Sequence, residues 1–260
     1  MRYRRFTPAA PLRDVVEHYW SIVSPPPARP IRAVLVPNGR ATVQFCLGPA
    51  GVRIDTRGRR ARNADVFLPA TPEPFVLESE HASHHVGVQL TPWGARELWP
   101  ASGRDPTQVE ELAAILPSRA GLGTDPAREL DSWLTALLPE APRDCELIRR
   151  AVHAIDGAPG DVEVGDLPGL AGASASTLYR EFARRIGLTP KQYISIMRHR
   201  RFTDTLLNSV HGDSAAMLAA AAGYYDQSHA SREFVRYAGM TARTFRSAYD
   251  GIARLMAMDG

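Results

Sequence analysis

Ser174-Ala-Ser-Thr-Leu178-Tyr179-Arg180-Glu181-Phe182 leads into Gly187-Leu-Thr-Pro190-Lys191-Gln192-Tyr193, and 52 residues further on the pattern returns. The second copy is Gly223-Tyr-Tyr-Asp-Gln-Ser228-His-Ala-Ser-Arg232-Glu233-Phe234, followed by Gly239-Met-Thr-Ala242-Arg243-Thr244-Phe245-Arg246. Arg180-Glu181-Phe182 aligns with Arg232-Glu233-Phe234, and Gly187-Leu-Thr with Gly239-Met-Thr. Each passage runs from a turn of small residues into a short helix with basic residues on one side. Two helix-turn-helix passages at this offset leave room for one connecting helix, which would hold both reading helices in a fixed relation. The duplication points to DNA.

Outward from the repeat, charge is uneven. The 260-residue chain has a formal charge of only +3, and 30 of its 31 basic residues are Arg, with Lys191 the exception. Such usage reflects genome composition and carries no functional weight. Its distribution says more: from Ser174 to Arg201, Arg180, Arg184, Arg185, Lys191, Arg198, Arg200 and Arg201 face one acid, Glu181, a local +6 (seven minus one). That cluster reads either as a phosphate footprint or as a solvated face. Cys46 and Cys145 are too few for a disulfide framework or a metal site and fit free thiols in a reducing compartment. No signal-peptide core follows the basic N-terminus and no apolar run reaches membrane length, so a soluble, cytoplasmic protein is expected.

The N-terminal half has a different texture. Leu12, Val15, Val16, Tyr19 and Trp20 have helical spacing, which predicts a helix ended by Pro25-Pro26-Pro27. Short apolar runs at Ala33–Val36, Thr42–Leu47, Val66–Leu68, Phe75–Leu77 and His85–Leu90 predict strands separated by turn residues such as Pro37-Asn38-Gly39. The arginine-rich stretch between Val52 and Asn63 reads as an exposed hairpin. Thr107-x-x-Glu110 is a capping box, and Asp125-Pro126 starts a helix whose stripe of Leu130, Trp133, Leu134, Leu137 and Leu138 predicts a homodimer contact, packing on its own sheet being the alternative. Pro139-Glu-Ala-Pro142 marks an interdomain linker. Leu147, Ile148, Ala151, Val152 and Ile155 then form the first helical stripe of the C-terminal half.

Gly-Tyr-Tyr-Asp-Gln-Ser-His-x-x-Arg-Glu-Phe from Gly223, followed by Gly-x-Thr and a closing Phe-Arg, resembles the AraC/XylS family of bacterial transcription regulators. The likeness covers about the last hundred residues. It implies a seven-helix unit whose two helix-turn-helix modules enter successive major grooves on one face of the duplex. Val34-Leu-Val-Pro37-Asn38-Gly39-Arg-Ala-Thr-Val43-Gln-Phe45, with Gly87-Val88-Gln89-Leu90 and Pro92-Trp93-Gly94, looks like the cupin-like sensor domain of one branch of these regulators. Three departures stand out. Pro168 falls where the family continues its first supporting helix, predicting a short helix from about Asp166. Ala230 replaces a usual Phe and Ala242 a usual Pro, which predicts a looser second module.

With Ser174 as N-cap, the exposed early positions of the first reading helix are Ala175, Ser176, Tyr179 and Arg180, with Leu178, Phe182 and Ile186 inward. The matching second set is Gln227, Ser228, His229 and Arg232, with Phe234 or Val235 buried. The resemblance implies base contacts at Ser176, Tyr179, Arg180, Ser228, His229 and Arg232. Either Arg180 and Arg232 reach base edges, where Arg pairs with guanine, or they pair with acids such as Asp226. Lys191, Arg198, Arg243 and Arg246, on the connecting helix or past the reading helices, are phosphate candidates.

The expected architecture is α+β: a cupin-like sensor domain with flanking helices over 1–140 and an all-α DNA-binding domain over 141–260. Expected partners are double-stranded DNA, a small, mostly apolar effector, a second copy of the chain and RNA polymerase, with no membrane, cofactor or metal. The alternative is a metal-dependent cupin enzyme carrying a DNA-binding tail, suggested by His81-x-x-His84-His85. Strand alternation opposes it by sending His84 and His85 to opposite faces. Cys46 lacks the flanking residues of an alkyl-accepting thiol and reads as inert.

Overall fold

In the computed structural model, which describes residues 1–99, 117–140, 144–158, 161–209 and 215–248, the N-terminal half carries two antiparallel sheets. The five apolar runs all form strands: β3 (Ile31–Leu35), β4 (Thr42–Cys46), β7 (Val66–Leu68), β8 (Phe75–Ser79) and β9 (Ser83–Leu90). The basic stretch is the hairpin β5 (Gly51–Ile54) and β6 (Arg60–Asn63), its turn closed by Arg59 Nε donating to Asp55 (2.6 Å). With β1 (Arg2–Phe6) and β2 (Val16–Ser24), the sheets have the orders β1-β2-β9-β4-β7 and β3-β8-β5-β6.

The helix expected from Pro11 to Trp20 is not formed; a single 3-10 turn at Ala10–Leu12 precedes β2. The reason is burial on both sides. Strand β2 lies between β1 and β9, so Tyr19 is buried on one face and Trp20 and Ile22 on the other, which erases the period-2 signal. Its Val, Ile, Tyr and Trp content favours a strand nonetheless.

Cross-strand register sorts the larger sheet into two faces. Tyr19, Val43 and Val88 stand opposite one another and, with Phe45 and Val86, pack against helices. Trp20–Gly87–Gln44 and Thr42–Gln89 form rows on the other face, towards the second sheet. The covering helices are α1 (Gly94–Leu98), α2 (Arg119–Thr124) and α3 (Pro126–Thr135). Asp125 caps α3 by accepting from Arg128 N–H (3.2 Å). Leu130, Trp133 and Leu134 are buried in the core of this same domain, Leu137 and Leu138 pack beside them, and Trp133 meets Phe45 edge-on at 5.5 Å. Most of the stripe is therefore packed within the chain, on its own sheet, with Leu137 and Leu138 half-buried at its end. The helix expected after Thr107 lies outside the described residues.

Seven helices follow among the described residues: α4 (Glu146–Gly157), α5 (Leu167–Ala171), α6 (Ala175–Arg185), α7 (Pro190–Asn208), α8 (Ala215–Ala221), α9 (Gln227–Ala238) and α10 (Ala242–Ala248). Pro168 sits in the first turn of α5, where its missing N–H costs nothing, and Gly172 at φ +69° ends that helix. The long α7 serves two cores. Tyr193, Ile196 and Met197 pack with Ile148, Leu178 and Phe182, whereas Phe202 and Leu206 pack with Leu218, Phe234 and Phe245.

Sheet and helices meet along a polar seam. Trp93 is part of the first helical core, its indole N–H donates to Asp14 O (2.9 Å), and Arg149 from α4 lies over its ring at 5.2 Å while pairing with Asp14. Arg185 from α6 pairs with Glu97 of α1 at 3.1 Å, both nearly buried. At a third point Gly39, at φ +72°, sits against Tyr193 so closely that a Cβ would come within 2.8 Å of its ring. Next to it, Arg40 pairs with Glu17 (2.8 Å) and Asp156 (2.6 Å) and donates to Tyr193 Oη.

Candidate nucleic-acid interface

Helix α6 starts where Ser174 Oγ accepts from Thr177 N–H (3.2 Å), satisfying one of the free N–H groups of the first turn. Leu178 and Phe182 are fully buried and Ile186 nearly so, which fixes the helix's rotation and turns Ser176, Tyr179 and Arg180 outward. Gly187, at φ +84°, ends the segment in a conformation that favours glycine. Thr189 and Gln192 then form a reciprocal capping box that starts α7.

The second module repeats these devices at the same spacing. Asp226, 52 residues after Ser174, caps α9 by accepting from His229 N–H (2.7 Å), and Gly239 at φ +68° ends it. Thr241 Oγ1 accepts from Thr244 N–H (3.2 Å) at the start of α10. Gln227, Ser228 and Arg232 are exposed, while His229 is half-buried with its ring edge-on to Tyr224 at 5.4 Å. Phe234 is the buried member of its pair and Val235 is exposed. The small Ala230 is buried in a core that Phe202, Phe234 and Phe245 close with edge-on contacts of 5.6 and 5.3 Å. The cap at Asp226 was legible as a Ser/Thr/Asp/Asn position before a helix, but its place as a possible Arg partner hid that role. Among the described residues neither Arg180 nor Arg232 has an ion-pair partner.

The basic cluster is less available than its count suggests. Glu181 holds Arg184 and Arg185, and Arg184 beside it keeps its carboxyl below the ordinary range; Arg185 also reaches Glu97. Arg201 pairs with Asp161 at 3.2 Å. Of the phosphate candidates, Lys191 and Arg243 are exposed. Arg198 is half-buried with its guanidinium 5.8 Å from the Tyr224 ring centre, and Arg246 donates to Ser209 O (3.2 Å). Among the described residues, Arg180, Lys191 and Arg232 are exposed and have no ion-pair partner.

Away from these helices, the polar face of the larger sheet and the second sheet enclose a cavity of about 150 Å³. Trp20, Ile22, Ala33, Leu35, Phe75 and Leu77 supply apolar surface, and Asn38, Arg40, Thr42, Gln44 and Gln89 polar atoms. His85 faces the cavity, and no three His, Cys, Asp or Glu side chains among the described residues converge to hold a metal ion. The Cys46 thiol is buried and its pKa is raised by that burial. No helix among the described residues is long and apolar enough to cross a membrane.

Residues 169–248 match the family of a helix-turn-helix domain, and residues 4–108 match a domain of unknown function, DUF6597. No curated protein matches the chain in sequence. Among solved structures, ToxT from Vibrio cholerae aligns over 90% of this chain and 99% of its own at TM-score 0.51 and 11% identity, a likeness of fold. A transcriptional regulator from Chromobacterium violaceum described as containing an AraC-type DNA-binding domain aligns over 39% of this chain and 89% of its own, at 22% identity and TM-score 0.36. A helix-turn-helix unit repeated at a fixed offset behind two antiparallel sheets is the arrangement that the resemblance to AraC/XylS-family transcription regulators implies.

Proposed function

We propose that the chain reads DNA sequence through two sets of side chains, Ser176, Tyr179 and Arg180 on α6 and Gln227, Ser228, His229 and Arg232 on α9. Lys191, Arg198, Arg243 and Arg246 hold phosphates. The observation that carries this reading is that both arginines stand exposed one turn into a capped helix, without an ion-pair partner among the described residues. An unpaired guanidinium there is free to donate two parallel hydrogen bonds to guanine. In this reading the two domains divide near residue 140, the protein works in the cytoplasm, and a small, mostly apolar effector occupies the cavity between the sheets. A ToxT structure of the same fold is solved with (E)-4-(8-methylnaphthalen-1-yl)but-3-enoic acid, which supports a small, largely apolar molecule as effector.

Binding selections on the wild type and variants test the DNA reading. Arg180→Ala is expected to cost about 1–3 kcal/mol on the preferred site and to relax one or two positions there. Arg232→Ala relaxes a separate set about 10 base pairs away, with a smaller loss because Ala230 and Ala242 support its module less. Lys191→Ala weakens all sequences alike and lowers the salt slope by about one unit. If both arginine variants keep the full sequence preference, the assignment of base-reading residues is wrong.

A further inference from the structure

Two residues that line the cavity between the sheets each carry a side-chain nitrogen that the fold covers but leaves unsatisfied. Trp20 Nε1 and His85 Nδ1 are both buried without a hydrogen-bond partner, and Trp20 as a whole is 4% exposed. Both residues line the cavity. In the antiparallel register Trp20 stands opposite Gly87 and Ile22 opposite His85, so indole and imidazole occupy diagonally adjacent positions on one face. Gly87 is part of this arrangement: a Cβ there would lie 2.1 Å from the nearest ring carbon of Trp20 and 2.8 Å from Nε1. Only a residue without a side chain lets the indole lie where it does.

The amide and carboxylate side chains of the cavity, and Arg40, already have partners. Gln89 accepts from Asn38 (3.2 Å) and Thr42 (3.3 Å) and donates to Ala41 O (3.1 Å); Gln44 donates to Asn63 (3.3 Å) and Ala64 O (3.2 Å). Arg40 is compensated by Glu17 and Asp156, and Glu78 by Arg32 and Arg60. Glu73 accepts from Thr56 (2.9 Å), and His81 stands at the exposed rim. Burial, reinforced by the neighbouring His84, lowers the pKa of His85 and keeps its ring neutral, with one donor and one acceptor nitrogen. A charged ligand would bury its charge opposite groups that are already neutralised, which costs desolvation without return. A neutral oxygen would instead recover the bond that the indole N–H lacks.

Resting on the reading of this cavity as the effector site, we propose that it takes an uncharged, apolar molecule of about single-ring size that carries one oxygen acceptor. The oxygen accepts from the Trp20 indole N–H, with the His85 imidazole as second polar contact. The volume of about 150 Å³ suits one ring.

Calorimetric titration of the full-length protein near neutral pH with toluene, acetophenone and benzoate tests the class. Acetophenone is expected to bind about tenfold more tightly than toluene or benzoate, the worth of one well-placed hydrogen bond. Trp20→Phe, which keeps a ring and removes the donor, should lose that advantage. In the wild type, the indole N–H proton resonance of Trp20 should move downfield with acetophenone and stay in place with toluene, a readout that survives if the variant does not fold. Benzoate binding as tightly as acetophenone, or an indole resonance indifferent to acetophenone, overturns the inference while leaving the effector site standing. Failure of all three probes to bind the wild type removes the effector site and the inference with it.

Discussion

His199 shows what a single side chain contributes beyond its place in a motif. It lies on α7, fully buried between Phe234 (5.0 Å) and Tyr237 (5.1 Å), and neither ring nitrogen has a partner. Burial lowers its pKa to about 3. In the unfolded chain the ring titrates near its ordinary value, so below that value the unfolded state binds the extra proton. The contribution is complete above pH ~6.5 and is lost as pH falls towards the folded value, on the order of 2 kcal/mol between pH 7 and pH 5. Denaturant melts of His199→Leu across that range should show a flatter acid limb and equal or greater stability at neutral pH. An unchanged acid limb would mean that other groups set it. Nothing near His199 in sequence marks this site, because its neighbours Arg198 and Arg200 suggest an exposed basic run. By contrast, Arg180 and Arg232 were legible from the 52-residue offset, since each stands two residues before a buried Phe.

At the scale of elements, capping and punctuation residues decide where helices begin and end, and two helices test how far that reading holds. Pro168 occupies the first turn of α5, so Pro168→Ala removes no strain and should shift stability by less than about 1 kcal/mol. A proline inside a helix would behave differently, and its replacement would stabilise by roughly 3 kcal/mol. Thermal melts separate these outcomes. Helix α3 makes the second test. Because Trp133 and Leu134 are core residues of their own chain, Leu134→Asp should destabilise the fold by more than about 3 kcal/mol through an unpaired buried charge. Light scattering at matched concentration should show no change in the mass of the folded fraction; a drop from dimer to monomer would return the stripe to an interface. The periodicity of α3 was plain in sequence, but periodicity names the buried face and not the surface that buries it. For β2 even the type of element was hidden, because a strand buried on both faces has no alternation to read.

Across the whole molecule, helices α4 and α6 are tied to the N-terminal half through ion pairs between residues far apart in the chain, 88 positions for Arg185–Glu97 and 116 for Arg40–Asp156. Breaking one partner of a buried pair costs about 3–5 kcal/mol, whereas replacing both by apolar residues is often neutral. Arg185→Met should therefore destabilise strongly, and Arg185→Met with Glu97→Leu should recover most of the loss, as read in denaturant unfolding. No recovery in the double variant would assign the cost to Asp144 O and Glu181, the other groups that Arg185 bonds. The amino-acid sequence by itself determined the repeated reading units, their glycine stops, the Ser174 cap and most strands, because these rest on hydrogen bonds and side-chain periods that close within a few residues. Tertiary structure alone decided that Pro11–Trp20 runs into a strand, that the α3 stripe packs largely on its own chain, which cations are held in ion pairs, and that Trp20 and His85 line a cavity. Those outcomes depend on which distant surfaces meet, and a local pattern does not carry that information.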